Sequence, residues 1–265
     1  MNKKYILLEN DPITHNDSII YQIQAIRDFG DIKAGDLGGY IQKESNLSHE
    51  GNCWVGDNAL ILDNAQVLDN AQVCENGCVY GDACVFDNAF VYGNARLLDK
   101  ARVSGNAEVY GNACILGNAQ VTDNVRVTGN AYVSSNAQVS DSAYVYGNTY
   151  ISNNAQVCGK ARVYGDAKVT DNAYVYGDVQ VCGNANVAGD VKIDKTKNLI
   201  VIGPIGSRNG YTTFSKEDNG IIYVTCGCFR GTIDAFKKAV LKTHDKDSIH
   251  RKKYLSIIKA TKYFF

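Results

Sequence analysis

Histidine is scarce in this chain of 265 residues: His15, His49, His244 and His250 are the only four, and none lies between residues 51 and 194. A general base in that stretch would have to be some other residue type. Proline is scarcer still, with Pro12 and Pro204 alone. No run approaches the ~18 apolar residues that suggest a membrane-spanning helix. The opening MNKKYILLEN has two lysines but no long apolar core behind them, so it does not read as a secretion signal, and a cytosolic location is expected. A net charge of −1 gives the whole molecule no charge-driven preference for nucleic acid or membrane. The nine cysteines are odd in number and scattered, and 45% hydrophobic content supplies a core without disulfides, so reduced thiols are expected.

What the chain does have is a repeat. From Gly51 to Asp194 it divides without a gap into 24 hexapeptides, beginning GNCWVG, DNALIL, DNAQVL. The fifth position is Val, Ile or Leu in every one, from Val55 to Ile193, and the third is mostly Ala. A period of six fits no helix of 3.6 residues per turn. It puts the third and fifth positions on one face of a short strand, with the fourth and sixth pointing outward. The first two positions are usually Gly-Asn, Asp-Asn or Gly-Asp, residues that tolerate left-handed backbone and so make a turn. Three hexapeptides close one triangular turn of 18 residues, giving a parallel β-helix of about eight coils, roughly 38 Å long at the inter-strand spacing. Val55, Val73, Val91, Val109 and Val127 should stack in one interior column.

A solenoid needs caps on its open ends. Residues 1–50 read as an N-terminal cap with an irregular first coil: Ile41 and Leu47 fall six apart, with Gly39 and Ser45 at the small position, but Leu47 to Val55 is eight. Residues 51–198 are the β-helix. Residues 199–265 read as a small α+β module. It has strands at 199–202, 212–215 and 221–225, an Asn219-Gly220 hairpin turn, and a helix capped by Thr232; a second helix starts near Ser248. Net charge divides unevenly: −3 over residues 1–50, −7 over 51–194 and +9 over 195–265.

The repeats together with YQIQAIRDFGDIKAGDLGGYIQKESNLSHEGNCWVGDNA (21–59) resemble the YdcK-like hexapeptide-repeat proteins of bacteria. That resemblance covers about residues 20–194 and implies an all-β solenoid with left-handed coils. The left hand follows from the resemblance alone, since periodicity does not fix it. The segment IGSRNGYTTF…GIIYVTCGCFRGTIDAFKKAV (205–240) is similar to uncharacterised proteins of phages and prophages. It implies a mobile-element origin and a bacterial or infected-host cytosol.

Acyltransferases of the resembled fold use a histidine base beside a loop that interrupts the coils. These coils have neither, and His49 reads as a solvated surface histidine. Cys226-Gly-Cys228 lacks the four ligands zinc normally takes, so no metal or cofactor is expected. The GSRNG turn, with Ser207, Arg208 and Asn209, is a candidate anion site. The lysine-rich final helices leave nucleotide or nucleic acid as an alternative ligand. On the coils, one outward face gathers Trp54, Phe90, Tyr92, Tyr110, Tyr144, Tyr146 and Tyr164 with Arg126 and Arg162. That composition matches protein-contact surfaces, although stacked aromatics also stabilise parallel strands. Leu60, Leu62, Leu68, Tyr80, Phe86, Phe90 and Leu98 point outward from the first coils, which calls for cover by residues 1–40 or by a second subunit. The sequence therefore reads as a non-enzymatic, rigid binding protein, homo-oligomeric and engaging a protein partner. An acyltransferase and a nucleotide-sequestering protein are the alternatives.

Overall fold

The computed structural model describes residues 3–15 and 17–265. Residues 54–193 form a β-solenoid of two- and three-residue strands in three parallel sheets, each strand pairing with the strand 18 residues away. The three faces are named here by their first strands: Trp54–Val55, Leu60–Ile61 and Gln66–Val67. Every fifth-position residue is fully buried, and Val55, Val73, Val91, Val109 and Val127 stand in register in one column, as the spacing requires.

The turns explain the dipeptides. All 24 first-position residues, whether Gly, Asp, Glu, Ser or Asn, have positive φ. Where that residue is acidic, its carboxylate accepts the backbone N–H of the first-position residue one coil on, as Asp57 does from Glu75 and Asp87 from Gly105; Asp171 instead pairs with Arg230. Second-position asparagines form ladders, each Nδ2 donating to the Oδ1 of the next, from Asn76 through Asn94, Asn112 and Asn130 to Asn148. Glycine supplies only conformational freedom at these corners, whereas Asp and Asn also satisfy backbone and side-chain hydrogen-bonding groups.

The solenoid has about nine turns rather than eight, because strand Leu37–Ile41 already pairs in parallel with Leu60–Ile61, and Leu47 bridges Val67. Gly39 takes its expected small slot, but Ser45 does not. Residues Glu44–Asn46 make a 3₁₀ turn, and the buried Asn46 amide donates to the carbonyls of Asp63 and Ala65 in place of a strand. Beyond Leu37–Ile41 the Leu60 sheet continues antiparallel through Ser18–Ala25 and Tyr5–Leu7, which closes the first coil.

At the other end, strands Leu199–Ile205, Gly210–Lys216, Ile222–Cys226 and Phe229–Thr232 form an antiparallel sheet. The fourth strand is an addition to the sequence reading. Leu199, Val201 and Tyr223 pack on the solenoid core. Ile200, Ile202, Phe214 and Val224 belong to a second core with helices α1 (Ile233–Thr243) and α2 (Ile249–Phe264). Thr232 caps α1, its Oγ1 accepting from the Ala235 N–H. Side chains from this sheet and its lead-in satisfy the N–H groups of the last coil. Thr213 Oγ1 accepts from Asn186, Glu217 from Lys192 and Thr196 Oγ1 from Gln180. The exposed edge that would otherwise template aggregation is thereby paired.

Candidate functional site

Three places hold the chemistry-bearing residues: the N-terminal plug, the tyrosine and arginine face, and a cleft in the C-terminal cap.

The plug is built around His49. It is not a solvated surface histidine, as the sequence suggested: its side chain is 11% exposed and its ring stacks on Tyr5 at 4.3 Å. Nδ1 accepts the Lys4 N–H at 3.4 Å, so Nε2 carries the proton and donates to Glu44 Oε1 at 2.8 Å. Lys3 pairs with the same carboxylate. The Tyr5 hydroxyl sits between the carbonyls of Glu44 and Leu47. With both ring nitrogens engaged, His49 has no lone pair to offer a substrate. Hydrogen bonds from Lys3 and His49 hold the Glu44 carboxyl below its ordinary range. A depressed folded-state value stabilises the fold above the unfolded value, and that contribution is lost as pH falls through the folded value. Glu44→Gln should therefore lower stability slightly at neutral pH, by less than ~1 kcal/mol for so exposed a pair, and lower the melting temperature with it. The two proteins should melt alike in strong acid; a difference that persists there would overturn this role.

On the Trp54 face the expected residues do share one surface, with one exception. Trp54 is buried, meeting Phe29 edge-on at 5.5 Å and lying against Gly38, where a side chain would collide with it. It seats the N-terminal cap and faces no solvent. The tyrosines stack on one another: Tyr92 on Tyr110 at 4.8 Å and 5°, Tyr146 on Tyr164 at 4.9 Å and 1°. The faces that meet within each pair are taken up by this stacking at the strand spacing, so much of the surface presents phenol edges. Phe90 and Tyr144 lean on Tyr92 and Tyr146. Arg126 pairs with Glu108 at 3.3 Å, while Arg162 makes no ion pair among the described residues. Of the outward apolar residues, Leu62 is buried and Leu60, Leu68, Tyr80, Phe86, Phe90 and Leu98 are half-buried, so none is left bare.

The C-terminal cleft is the third place, with a volume of about 470 Å³. Its floor is apolar: Ile205, Phe229, Phe236, Ala239 and Val240. Ser207, Arg208 and Gly210 form one rim, and Cys226, Gly227 and Cys228 form another. The third rim is Thr243 and His244 at the end of α1, with Tyr254 of α2 beside them. Phe236 packs on Phe229 at 5.0 Å and edge-on to Tyr254 at 5.6 Å, and His244 stacks on Tyr254 at 5.7 Å.

Gly206 has φ +78° and lies against the Tyr254 hydroxyl, so a side chain is excluded there on both counts. Asn209 is also left-handed and closes the turn onto the Gly206 carbonyl. Thr212 Oγ1 and the Tyr254 hydroxyl both contact Cys226 Sγ, and burial pushes the Tyr254 phenol up to about 12, so it is a neutral donor. Arg208 is exposed and makes no hydrogen bond or ion pair among the described residues, and no carboxylate lines the cleft. All nine cysteines are free, and among the described residues no three His, Cys, Asp or Glu side chains converge as metal ligands. No helix among those residues is long and apolar enough to cross a membrane.

The turn bearing Ser207, Arg208 and Asn209 was legible in the sequence. The aromatic floor was not, because it comes from the fourth strand and from helix faces brought together by folding. His244 and Tyr254 were missed as site residues: one ends α1 and the other lies in the second turn of α2, and nothing in the sequence brings either to the glycine turns.

No family model matches the chain. Over 44 residues it is 48% identical to the uncharacterised acetyltransferase YdcK of Escherichia coli strain K12. Those residues are 17% of this chain and span only 14% of that protein's length. The match agrees with a hexapeptide-repeat β-helix, which is the fold described above.

Proposed function

We propose that this chain is a binding protein. A rigid β-helix carries, in its C-terminal cap, a cleft for a small ligand with an anionic group on a planar or apolar body. Nucleotides are the class that combines both features. The observation that carries the reading is Arg208, an unpaired guanidinium on a tight turn beside a cleft floored by Phe229, Phe236 and Val240. Binding pockets commonly pair an apolar lining with a few convergent polar groups. The test is titration calorimetry of the full chain against nucleoside mono-, di- and triphosphates, with inorganic phosphate alongside. Saturable heat from at least one nucleotide, weakening with added salt, is expected. No heat across the panel would overturn the reading.

A second reading, transfer of an acetyl group, is favoured by the similarity to YdcK. Against it stand coils without histidine and the engagement of both His49 nitrogens. General-base catalysis is worth ~10²–10⁴-fold, so a site lacking a base would be badly impaired. A thiol-release assay with acetyl-coenzyme A across amine and hydroxyl acceptors should give no turnover. Turnover that disappears in His49→Ala would establish the transferase instead.

A further inference from the structure

Lys4 is fully buried, which is rare for a lysine, and no carboxylate pairs with it among the described residues. Its Nζ donates to the carbonyls of Cys53 at 2.9 Å, Gly51 at 3.2 Å and Glu50 at 3.3 Å, and lies 4.9 Å from the centre of the Phe29 ring. Its fourth contact is the Cys53 thiol, at 3.2 Å. Cys53 is singular among the nine cysteines. It alone occupies an inward third position, where most repeats have alanine, and it alone lies within hydrogen-bonding distance of a lysine amine.

We propose that Lys4 and Cys53 form an oxidation-dependent covalent cross-link, a sulfenamide between Nζ and Sγ, that ties the N-terminal strand to the first coil. The three carbonyls hold the amine in place against the sulfur, so no search is needed once the sulfur is activated. The pair shares a proton and can exist as thiol with amine or as thiolate with ammonium; burial disfavours both charges. Arg27 and Asp69 are the other charged groups whose fields reach it.

The oxidant is a hydroperoxide, hydrogen peroxide being the simplest. The thiolate sulfur attacks the O–O bond: an S–O bond forms, the O–O bond breaks, and the departing hydroxide takes a proton from the Lys4 ammonium to become water, leaving the amine neutral. This leaves a sulfenic acid, which condenses with nitrogen nucleophiles. The neutral Lys4 amine then attacks sulfur, forming S–N and breaking S–O. The second hydroxide leaves as water with a proton from nitrogen. In balance, thiol, amine and hydrogen peroxide give sulfenamide and two waters, with sulfur oxidised and peroxide reduced by two electrons. Cys53 is fully buried, but its Sγ faces the carbonyls of Ser48 and Glu50 in the irregular turn whose residues 50–52 are exposed, and peroxide would enter there.

The experiment treats the full chain with hydrogen peroxide and maps tryptic peptides by mass spectrometry without reductant. The expected product joins the Lys4 and Cys53 peptides at two hydrogens below their summed mass, resists trypsin after Lys4 and reverts with a thiol. Cys53→Ala places the usual third-position residue there and so should keep the fold; it should yield no such product. Recovery of Cys53 as thiol, sulfenic acid or sulfinic acid, with trypsin still cutting after Lys4, would overturn the proposal.

Discussion

Val109→Asp should leave the β-helix unable to fold. Val109 is fully buried in the middle of an interior column, with Val91 and Val127 directly before and after it. Every interior neighbour is a valine, alanine or other apolar side chain, so no donor reaches a carboxylate placed there. An uncompensated charge in such a site costs ~3–5 kcal/mol or more, comparable to the whole stability of many domains. Because each coil touches only its neighbours, the defect also uncouples the coils on either side. The control lies one residue away. Glu108 points outward and pairs with Arg126, and a solvent-exposed pair of this kind is worth under ~1 kcal/mol, so Glu108→Gln should melt almost as the parent does. Circular dichroism during urea unfolding measures both. A soluble Val109→Asp protein with the parent's cooperative transition would refute the register.

That register was legible because each hexapeptide contains its own instructions: an αL-tolerant residue, a small residue and an aliphatic one at fixed offsets. Local chemistry repeated 24 times leaves little room for an alternative. The ends were harder to read because their instructions are not local. Asn46 replaces a strand by donating to carbonyls nearly 20 residues away, and Lys4 reaches the carbonyls of Glu50, Gly51 and Cys53. Nothing in their immediate sequence announces this. Trp54 shows the same limit from the other side. Its position in the repeat says outward, which is correct for the strand, but the cap then folds over it. The tyrosine columns were visible as composition; that their rings stack in pairs emerges only from the 1–6° angles between rings one coil apart.

Reversing the charge at Arg208 should remove ligand binding while leaving the fold intact. The two effects separate cleanly because Arg208 is exposed and holds nothing else: no hydrogen bond or ion pair among the described residues depends on it. Surface changes of this kind usually move stability by less than ~0.5 kcal/mol. The binding contribution is larger. A charge-assisted hydrogen bond to an anionic group is worth ~1.5–3 kcal/mol, or about 10- to 150-fold in affinity, and Arg208→Glu adds repulsion to that loss. No other fixed cation lines the cleft to compensate, and His244 is the only other side chain there that can become positive. Arg208→Lys should recover part of the affinity, since it keeps the charge but not the planar fork. Phe236→Ala is less clean, because Phe236 belongs to the core beneath α1 and its loss would unsettle the cap as well as the floor. The comparison is made with the tightest nucleotide found by calorimetry. Parent, Arg208→Lys and Arg208→Glu should weaken in that order at low salt and converge as salt screens the anionic contact. Equal affinities for parent and Arg208→Glu, at equal melting temperatures, would place the anionic group elsewhere and remove the basis for this cleft as the recognition site.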